Sequence, residues 1–582
     1  LGKTHRRQFL KMIWAAAAAG AVARATPQTT TARLQLLPGG KALLNWVTSE
    51  SGTGLVLWRV GDGPSTEAPL TIRELRPADT GLEASLWAYT ASLSGLPREA
   101  TIIYQLQWNG VMGDESVFLT PGPRGQSVTF LAVGDSGTGG AEQAAIARRM
   151  AAERDASFVL HTGDLAYPSG SYADLRDGYL RPYSELMGRA AFFPCPGNHE
   201  YYTQNVRPYQ NLRMGGSNDL TYYAVDYGPL RIISVDSNDP MIPPVEENAM
   251  LAWLDDELSR TTSFWRIVIY HHPPYTAGMH IDDSFVHLSR ERLAPLMDKH
   301  AVPLVLNGHE HLYQRTLPVR DGLVTDDGRG TVYVTTGGGG GPLYPYTLHA
   351  LAATGVSAHH YLKARVAGGR MTVTVLGLAG EELDRVEIAP KPDALRLVNA
   401  ADGTPRLAAG SLALLTGAHL SWGPPPRLFC GDQALDVLDA QPGQIEFLAP
   451  PDQLETLRVR VETANGSGFA EIPLSESAPA LFSLGTDVPV QPGALATLYA
   501  TGLGRWPEGK AAAWVNMVIG DAPVQLSEVP DPMPEPGVYR LRFVVPPEAP
   551  AGPIAVRVRA GSAISGSVNL RVTTETSLEP PA

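Results

Sequence analysis

VPLVLNGHEHLYQR, residues 302–315, passes from a nearly unbroken apolar run into a glycine and two histidines one residue apart. In an extended segment alternate side chains share a face, so His309 and His311 can converge on one point. Taken alone, the stretch reads equally as a strand followed by a turn with two solvated histidines. Recurrence gives it weight. GDSG (134–137) follows TFLAV, GDLAY (163–167) follows SFVLHT, GNHE (197–200) follows AFFPCP, and HHPPY (271–275) follows WRIVIY. The apolar runs are too continuous for a sheet with one wet face. With helical segments at 141–154, 250–259 and 289–300 between them, the pattern predicts an α/β unit over residues 126–390. Its ligand-type side chains should gather at the carboxyl ends of the strands. Glycine ahead of each Asp or Asn is expected to let the backbone turn sharply. Twelve of the fourteen histidines fall between His161 and His360.

Outward from this unit the pattern changes. Residues 29–122 alternate apolar and polar side chains with turn clusters between, which predicts a small antiparallel β-sandwich. Beyond residue 390 the chain is β-only and repeats itself. AAGSLALLTGAHLS (408–421) matches QPGALATLYATGLG (491–504), and LRVRVETANGSGFAEIPL (457–474) matches IAVRVRAGSAISGSVNLRV (554–572). Two tandem Ig-like modules over 394–482 and 483–576 are expected, as spacers or as surface or protein contacts.

At the N-terminus HRRQFLK (5–11) precedes the apolar run MIWAAAAAGAVA and the small-residue motif AVARA (21–25). The run is too short to span a bilayer. Arg6-Arg7 followed by Gln8-Phe9-Leu10-Lys11 resembles a twin-arginine export signal over residues 1–25, which implies a periplasmic or extracellular protein. The formal net charge is −13, whereas a polyanion binder normally shows a basic face, so nucleic acid is not expected as a partner. Cys195 and Cys430 are the sole cysteines, too few for a disulfide framework, and both are expected to be buried thiols.

The five loops in this order resemble the purple acid phosphatases, within the calcineurin-like binuclear metallophosphoesterases, across roughly residues 30–390. The resemblance implies a multidomain chain with a fibronectin type III-like N-terminal sandwich and a central α/β metallophosphoesterase sandwich. It implies that Asp135, Asp164, Tyr167 and His311 hold one metal, and that Asp164, Asn198, His271 and His309 hold a second, with Asp164 bridging. A phenol of pKa ~10 ionises near neutrality only beside a strong Lewis acid, so Tyr167 points to Fe(III). The second set suits Zn(II), Fe(II) or Mn(II). On the family's mechanism, metal-bound hydroxide hydrolyses a small phosphate monoester, and the motif match implies that His199 and His280 contact phosphate or protonate the leaving oxygen. Plant relatives often place a second histidine beside the latter; here Met279 and Ile281 flank it. His272 is expected to pack or to support a ligand. Glu200 and Arg315 should orient loops, and His161 should point off the site. Two alternatives stand beside the acid phosphatase reading: a phosphodiesterase or nucleotidase on the same core, and a cell-surface binding protein with an incidental phosphatase unit.

Overall fold

The computed structural model of the 582-residue chain describes residues 32–37, 39–122, 127–212, 221–260, 263–453, 455–483, 488–505 and 514–573. The export signal expected over residues 1–25 lies outside the described residues. Among those described, no helix is long and apolar enough to cross a membrane.

The central unit is built on two sheets. One has six strands, in the order Ala191–Pro194, Phe158–His161, Val128–Val133, His360–Ala367, Arg370–Gly377 and Glu382–Ile388. The other has seven: Tyr223–Tyr227, Leu230–Ser234, Trp265–Ile269, Leu304–Asn307, Val332–Thr336, Tyr313–Thr316 and Ala352–Val356. Continuous apolar strands are explained by burial on both faces. Phe130, Phe158, Ile267, Ile269, Leu304 and Leu306 meet between the sheets. Their neighbours Leu131, Val133 and Val159 turn outward under the helix Ala141–Ala152, whose Ile146 and Met150 cover them. Val268 and Val305 likewise lie beneath the helix Pro244–Arg260 through Met250 and Leu254. The result is a helix–sheet–sheet–helix sandwich.

Register puts the strand ends level. Val133 pairs with His161 and His161 with Pro194 in parallel, while Ser234 pairs with Ile269, Ile269 with Leu306 and Asn307 with Thr335. All the chemistry-bearing loops therefore leave one edge of the sandwich. The helix expected over 289–300 starts earlier, at Ser284, and widens to a π-turn at Ser289–Leu293 before Ala294–Lys299. Pro295 has no N–H to give the ladder, and the wider turn accommodates that.

The N-terminal region forms two four-stranded sheets, one centred on Lys41–Thr48 and Leu86–Leu93, the other on Gly54–Val60 and Thr101–Trp108. It is tied to the central unit by the Tyr104 hydroxyl, which donates to Gly188 O at 2.7 Å. Each C-terminal repeat also forms two sheets about its own core. The repeated segments occupy equivalent strands: Leu412–Ala418 pairs with Gln444–Leu448 as Leu495–Thr501 pairs with Tyr539–Val544. The first repeat docks on the central unit. His419 is buried with its ring nitrogens 3.1 Å from Phe264 O and 3.0 Å from Ala301 O, Trp422 packs on Phe264, and Arg329 reaches Ser467 O and Pro392 O.

Candidate metal centre

Six of the seven ligand-type residues follow the carboxyl ends of strands: Asp135, Asp164, Asn198, His271, His309 and His311. Tyr167 completes the GDLAY loop. Asp135, Asp164 and His309 all hold positive φ, at 54°, 51° and 70°. Such backbone is disfavoured for residues with a Cβ, and three instances at one point mark a site held under strain by its surroundings. Of the glycines ahead of the acidic and amide residues, Gly163 alone has positive φ (93°). Gly134 and Gly197 are required for closeness instead. A Cβ on Gly134 would stand 2.0 Å from Thr162 Oγ1, and one on Gly197 2.1 Å from Asp164 Oδ1.

The two sheets meet here through the side chains themselves. The His309 N–H donates to the Asp135 carboxylate at 2.9 and 3.0 Å. His271 Nδ1 lies 2.8 Å from Thr162 O, leaving Nε2 3.5 Å from Asp164 Oδ1 and 3.9 Å from Asp135 Oδ1. His311 Nδ1 is anchored 2.8 Å from Pro342 O, and its Nε2 lies 3.0 Å from the Tyr167 hydroxyl and 3.6 Å from Asp135. Asn198 donates from Nδ2 to the Tyr202 hydroxyl, which fixes its amide with Oδ1 buried and unpartnered.

Burial and mutual interaction shift the site's ionisable groups strongly. Burial pushes Asp135 well above the usual carboxylate range. Burial opposes Asp164 too, but His271 and His199 outweigh it and hold that carboxyl low. His271, although buried, is raised to about 10 by Asp164 and Asp135. Burial lowers His309 and His311 to about 4, so both imidazoles are neutral at ordinary pH. Burial, then Asp164 and Asp135, drive the Tyr167 phenol well above 10. Only added positive charge beside it would reverse that. Asp135, Asp164 and His271 offer ligand atoms within 4.8 Å of one another, as do His271, His272 and His309. With orphaned ligand atoms at Asn198 Oδ1 and His271 Nε2, the donor set fits cations of the N/O-binding kind.

His161 turns away, its Nε2 2.9 Å from Ser136 Oγ and its ring against Tyr179 and Tyr183. Cys195 is buried and its thiol is pushed up by burial, whereas Cys430 is only half-buried, because it ends a strand near the sandwich rim. His272 stacks on Phe285 and its Nδ1 lies 2.8 Å from Ser237 Oγ; its buried Nε2 has no partner and joins the imidazole cluster. Arg315 pairs with Asp384 across the sheets and does not tie the site loops. Glu200 does: its carboxylate accepts the backbone N–H of Asp164, Leu165, Ala166 and Gly197. Burial and then Asp164 push it up to about 8. Glu310 and Tyr344 were not anticipated. Tyr344 stacks on His311, with centroids 4.2 Å apart and planes at 7°. His199 and His280 sit half-exposed at the mouth, His199 against Tyr167 and His280 against His309.

Residues 128–313 match the calcineurin-like phosphoesterase family. The chain is 29% identical over 210 residues to acid phosphatase type 7 of Mus musculus, covering 31% of this chain and 48% of that protein. It is 25% identical over 298 residues to purple acid phosphatase 17 of Arabidopsis thaliana, covering 46% and 84%. Purple acid phosphatase PPD1 from yellow lupin seeds superposes with a TM-score of 0.57 at 18% identity, over 62% of this chain and 75% of that one. The chain thus spans about half the length of the mouse protein, and the lupin likeness concerns the fold.

Proposed function

From a chain whose residues 128–313 form a calcineurin-like phosphoesterase domain, we propose an exported acid phosphatase that hydrolyses small phosphate monoesters at a dinuclear metal centre. The observation that supports it most is the convergence at one sandwich edge of two buried carboxylates, an amide oxygen, three imidazoles and a phenol. Asp135, Asp164, Tyr167 and His311 would hold Fe(III); Asp164, Asn198, His271 and His309 would hold Zn(II), Fe(II) or Mn(II). Such a pair supplies positive charge for a phosphate and acidity for a water near neutral pH. The protein's own part is positional. Strand ends fix the acidic and imidazole donors, Thr162 O and Pro342 O set the tautomers of His271 and His311, and Tyr202 sets the Asn198 amide. His199 and His280, half-exposed, would bind phosphate oxygens or hand a proton to the departing oxygen. The N-terminal sandwich would be fibronectin type III-like and the C-terminal repeats Ig-like spacers or contact modules.

The test compares p-nitrophenyl phosphate with bis(p-nitrophenyl) phosphate at matched metal loading. Faster hydrolysis of the monoester, abolished by chelation, supports the proposal. Faster hydrolysis of the diester moves the function to a phosphodiesterase, and chelator-resistant activity would refute the metal centre.

A further inference from the structure

His280 differs from the other groups at the site because no strand end places it. It sits in an irregular loop between Tyr275 and the helix Ser284–Leu288. Its ring nonetheless takes a defined position, 4.2 Å from the His309 ring and 5.3 Å from Tyr344. Something beneath the loop must fix it. Between His309 and His311, where the backbone is bent and His309 holds positive φ, one side chain runs away from the site and under this loop. That side chain is Glu310, fully buried. Its Oε1 accepts the His280 N–H at 2.9 Å and the Thr276 hydroxyl at 3.3 Å, and its Oε2 accepts the Met279 N–H at 3.1 Å. The Thr276 Oγ1 in turn accepts the Gly278 N–H at 2.9 Å. His280 Nδ1 lies 3.5 Å from Oε2, which leaves Nε2 as the nitrogen turned from the carboxylate. Gly278 lies flat against it: a Cβ there would stand 2.3 Å from Oε2 and 2.6 Å from Oε1.

We propose that Glu310 is a positioning residue for His280, holding the 276–280 loop so that the imidazole faces the oxygen that departs with the leaving alcohol. This role rests on the phosphomonoesterase reading of the site. A buried carboxylate accepting several N–H groups is a strong local clamp. An amide is a poor substitute, since one of its two arms would present N–H to a backbone N–H.

The experiment uses the metal-loaded full chain with two monoesters. p-Nitrophenyl phosphate has an acidic leaving group that needs little help from a proton donor; glycerol phosphate has a basic one that needs it. Glu310→Gln should lower kcat/KM for glycerol phosphate by ~10–100-fold and for the aryl ester by ~3-fold at most, the gap reflecting lost general-acid assistance. His280→Ala should show the same selectivity, and the double variant should be no worse than His280→Ala alone. Gly278→Ala, which lifts the same loop while leaving the carboxylate intact, should also lose the alkyl ester selectively. Equal losses on both esters, or losses that multiply in the double variant, would overturn the role. Should Glu310→Gln fail to fold, Gly278→Ala and Thr276→Val carry the same comparison, with equal loss on both esters again the refuting result. A wild type that hydrolyses neither ester would overturn the site reading, and this role with it.

Discussion

Above pH 8, where its raised carboxyl is ionised, replacing Glu200 by Gln removes a charge and almost no volume, yet it should unsettle two loops at once. Oε2 accepts Asp164 N at 3.0 Å and Gly197 N at 2.7 Å; Oε1 accepts Leu165 N at 2.9 Å and Ala166 N at 3.2 Å. A carboxamide has one oxygen, so either orientation sets its NH2 against two buried backbone N–H groups. Two hydrogen bonds to a charged acceptor are lost, at ~1.5–3 kcal/mol each. Relief of repulsion from Asp164 offsets part of this, since that neighbour helps push Glu200 up to about 8. A net loss of ~2–4 kcal/mol follows. For a unit of this size each kcal/mol moves a thermal midpoint by ~2–4 °C, so the central unit's transition should fall by ~5–15 °C. Scanning calorimetry of chelator-treated protein resolves it from the other β units. The variant should also retain less metal, because the loops that slip carry Asp164 and Asn198. An unchanged transition together with wild-type metal retention would refute the reasoning.

Four further outcomes are expected. Asn198→Ala removes one orphaned ligand oxygen; bound metal should drop from two towards one per chain and turnover by at least ~10–100-fold, measured by elemental analysis and p-nitrophenyl phosphate hydrolysis. His419→Ala removes a buried imidazole whose pKa burial lowers to about 3, so that its single N–H serves one of the two flanking carbonyls; the loss should cost ~1–3 kcal/mol, read as a lower midpoint of the central unit. Truncation near residue 392 should do at least as much, while turnover of a small ester persists at 25 °C because all seven candidate ligands precede residue 312. Arg6→Lys with Arg7→Lys should retain folded precursor in the cytoplasm on fractionation; unchanged export would assign the leader to the general secretory route.

Much of this arrangement was legible because local pattern and function coincide at strand ends. Runs such as TFLAV and VPLVLN announce strands covered on both faces, and the polar residues that interrupt them have nowhere to go but the edge. Where one strand ends, the next Asp or His is a candidate ligand without further knowledge. What the sequence did not disclose is long-range. Glu200 is expected from its motif to orient loops, but only the fold shows whose N–H groups it meets, up to 36 residues away in the chain, while Glu310 looks like an ordinary acidic residue within its motif. Tyr344 lies in a glycine-rich loop that carries no periodicity. The strands Tyr223–Tyr227 and Ala352–Val356 went unseen because neither is fully buried. His419 sits inside a repeat whose own pattern accounts for it as a strand end, so its burial against Phe264 and Ala301 leaves no local mark.

The central claim is that Asp164 joins two cations at this edge, one of them ferric beside Tyr167. The most direct test is metal content per chain of purified active protein, taken with its visible spectrum. Two metals per chain including one iron, with visible absorption that Tyr167→Phe abolishes, is the predicted result. Full activity in colourless protein holding no iron would contradict the ferric assignment, and full activity with no bound metal would contradict the centre itself.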